Sequence, residues 1–125
     1  MRGTDLAGVP GLAGILTPAQ CRQTAQSIAA VQLSSGEIPW SLAGHTDPWD
    51  HVECAMALTA AGLVEQARAA YEWSRARQRS DGSWAIQYRR GVVEDSNTDS
   101  NFCAYIAAGV WHHVLITDDR DFAER

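Results

Sequence analysis

The sequence is short of basic residues: ten Lys and Arg stand against fifteen Asp and Glu, which gives a formal charge of −5 over 125 residues. Proteins that bind nucleic acid through its phosphates need a clustered basic face. This deficit argues against nucleic acid as a partner. The sequence also lacks an uninterrupted apolar run of about 18 residues, so we expect no integral membrane segment. Its N-terminus, interrupted by Gly and Pro, is a poor secretion signal.

Cysteines are few and lack the spacing of a metal site. Cys21, Cys54 and Cys103 are an odd number with no CxxC pair, and each lies among apolar neighbours. Free, buried thiols are the simplest interpretation, and they favour a cytoplasmic location. The adjacent His112 and His113 diverge by about 100° on a helix and cannot readily share an ion. We therefore predict no metal and no cofactor.

What the sequence does contain is a series of helix signals. Thr17-Pro18 and Asp47-Pro48 each pair a cap residue with a proline suited to the first helical position. The first helix and a third, from Val64 to about Arg77, are amphipathic. A second, over Val52 to Ala61, and a fourth, from about Thr98 to Ile116, are apolar nearly all round and should be enclosed. Outer and inner helices are thus predicted to alternate.

A repeat underlies this alternation. Gln32 to Gly36 and Gln78 to Gly82 have the same spacing 46 residues apart, and each is soon followed by a tryptophan, Trp40 or Trp84. With three extra loop residues, Asp50 and Cys54 of the first copy match Asp99 and Cys103 of the second.

We therefore predict an all-α fold of repeated helical hairpins, a partial (α/α) toroid, in preference to a simple four-helix bundle. Residues 1–16 are expected to be a loosely ordered lead-in. Residues 17–125 hold two hairpins and the start of a third, which the early end of the chain predicts to be truncated.

Residues 68–84 resemble a known motif. Arg68-Ala69, Trp73, Gln78 and Gly82-Ser83-Trp84 look like the QW motif of squalene–hopene cyclases, with Ser74 where an aliphatic residue is usual. The resemblance implies a prenyltransferase or terpene-cyclase type of toroid, a transferase or cyclase acting on an isoprenoid lipid. The acidic DxDD signature of those cyclases and the zinc pattern of protein prenyltransferases are absent.

A second resemblance leads to a different chemistry. Residues 78–84, the acids Asp95 and Asp99, and residues 117–122 are similar to stretches of glucoamylase-like six-hairpin glycosidases. This resemblance implies paired carboxylates acting on a saccharide. A third alternative is a non-catalytic helical-repeat module that forms homo-oligomers through exposed inner helices.

The best candidate site is the acidic, histidine-containing segment 45–53 at the mouth of the second helix, together with the polar segment 94–101 of the second copy. Carboxylates and an imidazole can serve as general acids and bases, and aromatic faces can bind a sugar or a prenyl chain. The catalytic candidates are Asp50, His51, Glu53, Asp95 and Asp99, and the substrate-binding candidates are Trp40, His45, Trp49, Asn101 and Tyr105. The alternative is that these polar groups are caps and turns.

Overall fold

The structure, a computed structural model, describes residues 8–124, and within that range the chain is mostly helical. The helices are α1 (Pro18–Val31), α2 (Pro48–Ala60), α3 (Val64–Arg77), α4 (Ser100–Thr117) and α5 (Arg120–Ala123). Two short strands, β1 (Gln87–Arg89) and β2 (Val92–Asp95), lie between α3 and α4. None of the helices in residues 8–124 is long and apolar enough to cross a bilayer.

The antiparallel pair β1–β2 corrects the prediction of a purely helical fold. The turn between the strands consists of Arg90 and Gly91, which both have positive φ angles, 49° and 77°. Two consecutive left-handed residues match the right-handed twist of a two-residue hairpin. The β-branched Val92 and Val93 then favour an extended strand. This local signal lies in the loop between two predicted helices.

The predicted helix starts are confirmed. Thr17 and Gln20 form a reciprocal capping box at α1, and the Asp47 side chain accepts a hydrogen bond from the backbone of Asp50 at α2. These bonds satisfy N–H groups that a helix leaves free at its first turn. Helix α3 spans the predicted residues, and Asp99 caps α4.

The internal repeat is present in the hydrogen bonds that two glutamine side chains make to backbone carbonyls. After α1, the Gln32 amide donates to the carbonyl of Gly36 at 3.0 Å, and after α3 the Gln78 amide donates to the carbonyl of Gly82 at 3.1 Å. Both glycines have positive φ, 93° and 85°. The glutamine therefore closes the loop that follows each outer helix, which is a structural role.

The predicted register of the repeat is wrong beyond these loops. The backbone N–H of Ile38 donates to Nδ1 of His51, and the backbone N–H of Trp84 approaches Sγ of Cys103 in the same way. The counterpart of Trp84 is therefore Ile38, and that of Cys103 is His51. The matches of Trp40 with Trp84, and of Asp50 and Cys54 with Asp99 and Cys103, do not hold.

The cause of this shift is the β-hairpin. The backbone bond from Trp40 to His45 in the first copy corresponds to the bond from Ile86 to Asn97 in the second. Residues 41–44 fill the first interval and residues 87–96 fill the second. The second copy thus carries a longer insertion than the three residues allowed by the sequence comparison, and Asp99 corresponds to the cap residue Asp47.

Helix α2 forms the centre of the core and packs against α1, α3 and α4. Its Val52, Ala55 and Leu58 are fully buried. The predicted inward face of α3 is confirmed, since Ala67, Tyr71 and Ser74 are buried. The core also includes Phe122 of α5, whose ring meets the ring of Tyr71 of α3 edge to face at 5.5 Å.

The prediction that α4 is enclosed is wrong for one of its faces. Only Gly109 and His113 of this helix are fully buried, whereas Trp111 and Leu115 are 63% and 66% exposed. An apolar helix is covered only where a neighbouring element lies against it, and α4 has such a neighbour in α2.

Residues 8–16, which precede α1, contain no helix and no strand. Residues 8–16 are largely exposed and include a short turn bridged between Leu12 and Leu16. The first seven residues of the predicted lead-in lie outside the described residues. The three cysteines, Cys21, Cys54 and Cys103, are free and half-buried.

Candidate active site

The N-terminal end of α2 is held together by Asp47. One oxygen of its carboxylate accepts the backbone N–H of Asp50 at 2.9 Å, and the other accepts the indole N–H of Trp40 at 2.7 Å. Asp47 is buried, whereas Trp40 is 62% exposed. The cap therefore fixes the edge of the Trp40 ring and leaves much of its surface open to solvent.

A cleft of about 370 Å³ opens where the N-terminal ends of α2 and α4 meet. It brings together Asp50 and Asp99, the two carboxylates expected to share a pocket, with the predicted binding residues Trp40, Trp49 and Asn101. The lining residues are Trp40, Asp47, Trp49, Asp50, Asp99, Asn101 and Phe102. Phe102 was not among the sequence candidates, because it reads as an ordinary apolar residue of a buried helix.

The two carboxylates of the cleft have different surroundings. Partial burial raises the pKa of Asp50, and the charge of Asp47, a hydrogen bond with it and the charge of Glu53 act in the same direction, against a smaller opposing effect of His45. In Asp99, Oδ1 accepts the backbone N–H groups of Asn101 and Phe102 at 2.8 and 3.1 Å. The surroundings of Asp50 thus stabilise its protonated form relative to a free aspartate, while Asp99 is bonded as an acceptor.

Glu53 lies one turn further along α2 and joins the two inner helices. Its Oε1 accepts the indole N–H of Trp49 at 2.9 Å and the hydroxyl of Tyr105 at 3.2 Å. The Trp49 and Tyr105 rings stack 4.1 Å apart and nearly parallel, at 2°. Burial raises the pKa of Tyr105, and the charge of Glu53 adds to this effect. The hydroxyl therefore stays protonated and remains a donor to Glu53.

His51 is not brought to the cleft. It is 1% exposed, its Nδ1 accepts the backbone N–H of Ile38 at 3.2 Å, and its Nε2 lies 2.8 Å from the carbonyl of Ala70. These two bonds together define the neutral tautomer with the proton on Nε2. Burial lowers the pKa of His51 to about 4. The imidazole therefore ties α2 to α3 and to the preceding loop, behind the cleft.

The remaining sequence candidates lie around the cleft rather than in its lining. The carboxylate of Asp95, at the end of β2, accepts the backbone N–H of Asn97 at 2.9 Å in a turn. The His45 ring lies 4.5 Å from the Trp40 ring. Asp95 therefore has turn geometry, and His45 supports the exposed tryptophan.

A second depression, a groove of about 560 Å³ between α1 and α2, shares Trp40 and Asp50 with the cleft. Most of its lining is apolar, with Glu53 as a further charged residue; the lining includes Ile28, Val31, Ile38, Pro39, Cys54 and Ala57. Burial raises the pKa of Cys54 to about 11, so its thiol is a poor nucleophile. Within residues 8–124 the structure contains no cluster of three or more His, Cys, Asp or Glu suited to a metal ion.

Two carboxyl groups, one of them with a raised pKa, and exposed aromatic surface in one cleft fit acid–base chemistry on a sugar. No family model matches the chain. The chain is 71% identical, over 120 residues, to an MMP endo-(1,4)-3-O-methyl-α-D-mannosidase of Mycolicibacterium hassiacum. This match covers 96% of the chain and 33% of the relative, so the chain spans about a third of the length of the curated relative it matches.

The match corrects the main functional prediction. A relative named as a mannosidase is a glycosidase, so the preference for a prenyltransferase or terpene cyclase, and for a transferase or cyclase reaction, is wrong. The error came from the QW motif. Its glutamine bonds the Gly82 carbonyl, and the Trp84 indole donates to the backbone carbonyl of Ser74 at 2.7 Å. Such loop contacts stabilise a helical hairpin whatever reaction the protein catalyses.

Proposed function

We propose that this chain carries part of a glycoside hydrolase that cleaves internal α-(1,4) linkages in a saccharide of 3-O-methylated mannose. The observation that carries this proposal is the 71% identity to an endo-mannosidase across nearly the whole chain. The glycosidase alternative drawn from the sequence is the one that this match favours.

Glycoside hydrolysis needs two carboxyl groups with different protonation. Asp50 suits the general acid, since its pKa is raised and it can protonate the oxygen of the departing sugar as the glycosidic C–O bond breaks. Asp99, which also lines the cleft, suits the carboxylate that activates water or attacks the sugar carbon. If Asp99 activates water, the water adds its hydroxyl to the sugar carbon and its proton passes to Asp99, and exchange with solvent returns a proton to Asp50. If Asp99 attacks the sugar carbon, water then breaks the bond between Asp99 and the sugar and gives its proton to Asp50.

Aromatic residues give the cleft a surface for a sugar ring. The Trp40 indole is exposed while its N–H is held by Asp47, so its orientation is set before a ligand binds. The orientation of the Trp49 ring is also set in advance, because this ring stacks on Tyr105. Apolar CH groups and methyl ethers of a mannoside pack well on such faces. Asn101 adds an amide for a sugar hydroxyl, and Tyr105 and Glu53 hold Trp49 in place.

We further propose that the two hairpins are part of an (α/α) toroid of the glucoamylase-like type. The support for this arrangement is the repeated loop after α1 and α3 and the pairing of the inner helices α2 and α4. In such a ring the N-terminal ends of the inner helices lie on one side, where Asp50 and Asp99 line the cleft.

The test uses a chimera, the M. hassiacum mannosidase with its aligned 120-residue segment replaced by this chain, beside the chain alone. The substrate is an α-(1,4)-linked oligosaccharide of 3-O-methyl-D-mannose, and the products are separated by chromatography. We expect the chimera to cleave internal bonds and Asp50→Asn or Asp99→Asn to lower kcat about 100-fold or more. Asp95→Asn is the matched control and should keep activity, because its carboxylate lies outside the cleft. An active chimera that tolerates both cleft substitutions would refute the assignment.

A further inference from the structure

Helix α4 has two faces of different character. One face packs on α2, where Gly109 lies against Val52, and Nδ1 of His113 is 3.1 Å from the Thr59 hydroxyl. The opposite face is open and apolar. Its exposed residues, which we call the open stripe, are Ala104, Ala107, Ala108, Trp111 and Leu115. Their spacing places them on one side of the helix.

The repeat identifies what this stripe corresponds to in the first copy. Since His51 matches Cys103, each residue of α2 corresponds to the residue 52 positions later in α4. Helix α2 contacts α4 through Trp49, Val52 and Thr59. The corresponding residues of α4 are Asn101, Ala104 and Trp111, and all three are exposed. The face that α2 presents to the next inner helix is thus the face that α4 leaves open.

The same correspondence applies to the side of α2 that faces away from α4. Helix α4 contacts α2 through residues that include Phe102, Tyr105 and Gly109. Their counterparts on α2 are Asp50, Glu53 and Ala57, and these line the groove between α1 and α2. The two hairpins therefore expose, at either end, the two halves of the contact that joins α2 to α4.

We propose that the open stripe of α4 is the binding face for a further inner helix of the same repeat, of the kind encoded in the two thirds of the mannosidase that the match leaves out. Exposed Trp111 and Leu115 form an apolar surface that water covers poorly. The relative has the additional length to cover it, since the match takes up 33% of that protein.

The charges of the groove argue against a second copy of this chain as the occupant. A head-to-tail copy would bring Asp50 and Glu53 against the open stripe. At the α2–α4 contact the corresponding positions are the aromatic residues Phe102 and Tyr105. Burying the Asp50 carboxylate against an apolar stripe that carries no basic residue is costly. An apolar helix with aromatic residues at these positions fits the stripe better.

Thiol labelling tests this inference. Ala108→Cys places a thiol in the open stripe, and Ala76→Cys places one at an exposed position of α3, as the matched control. Both variants are prepared in the full chain alone and in the chimera with the mannosidase. Labelling by a maleimide is followed peptide by peptide in a mass spectrometer, so that Cys21, Cys54 and Cys103 do not interfere.

We expect the Ala108→Cys thiol to react at least tenfold more slowly in the chimera than in the chain alone, and the Ala76→Cys thiol to react equally in both. Equal labelling of the Ala108→Cys thiol in both proteins would overturn the proposal. Protection in the chain alone that grows with its concentration would also overturn it, because a second copy would then be the occupant. The inference shares the mannosidase match with the proposed function but none of its chemistry, so labelling and hydrolysis can fail separately.

Discussion

Gly36 and Gly82 occupy the same place in the two copies of the repeat, which makes them a matched pair for a stability experiment. Both have positive φ, 93° and 85°, so alanine at either position is strained by the backbone. A left-handed conformation costs an L-residue about 1–2 kcal/mol. If the backbone were the only factor, Gly36→Ala and Gly82→Ala would destabilise the protein equally.

The surroundings of the two glycines differ. A Cβ on Gly36 would lie 2.1 Å from the carbonyl oxygen of Ala69 in α3, whereas a Cβ on Gly82 would meet only the Gln78 amide at 3.9 Å. The Ala69 atom belongs to the backbone of a helix and cannot turn aside. Overpacking of this kind typically adds about 1–3 kcal/mol. We therefore expect a loss of about 1–2 kcal/mol for Gly82→Ala, and about 2 kcal/mol more for Gly36→Ala.

Urea unfolding, followed by tryptophan fluorescence and circular dichroism, measures both losses on the full chain. The slope of the transition should be unchanged, so the difference appears in the midpoint. Equal losses for the two variants would refute the reasoning, because they would mean that the loop after α1 does not rest on α3. The Gln32 side-chain amide also joins this loop to α3, because it donates to the carbonyl of Gln66 at 2.9 Å.

Two further predictions concern the inner helices. Gly109→Ala should destabilise the protein by about 2 kcal/mol, although alanine is the better helix former. The reason is that the new Cβ would lie 2.4 Å from Val52 and 2.9 Å from the Tyr71 hydroxyl. A higher melting temperature for this variant would contradict this packing. His51 is neutral when folded, with a pKa of about 4 against 6.5 in the unfolded chain, so its contribution is complete above pH 6.5 and is lost as the pH falls towards 4. Between pH 7 and pH 5 this amounts to about 2 kcal/mol; His51→Gln should flatten that pH dependence of unfolding, and an unchanged slope would count against it.

The candidate site could be predicted in part. Polar and aromatic clusters at helix starts predict a site that includes Asp50, Asp99, Trp40, Trp49 and Asn101, and these residues line one cleft. The clusters were visible because helix starts concentrate acids and caps. The role of His51 was not visible, since a histidine beside three acids looks the same in the sequence whether it faces a cleft or the interior.

The functional class needed information beyond the residues. In the pattern that resembles a QW motif, the Gln78 side chain and the Trp84 indole bond the backbone carbonyls of Gly82 and Ser74. Those bonds hold the loop after α3, so the pattern reports on local structure and not on a substrate. The 71% identity to a protein named as a mannosidase is what favours a saccharide over a lipid as substrate.

The sequence by itself determined the helices and their boundaries, because caps such as Thr17 and Asp47 act within one turn of the chain and need no distant partner. Tertiary structure alone decided the register of the repeat, the open stripe of α4 and the enclosure of His51. These features depend on the ten-residue interval 87–96 and on which helix lies beside which. Packing between residues far apart in the chain leaves no periodic signal, so only the assembled fold reveals it.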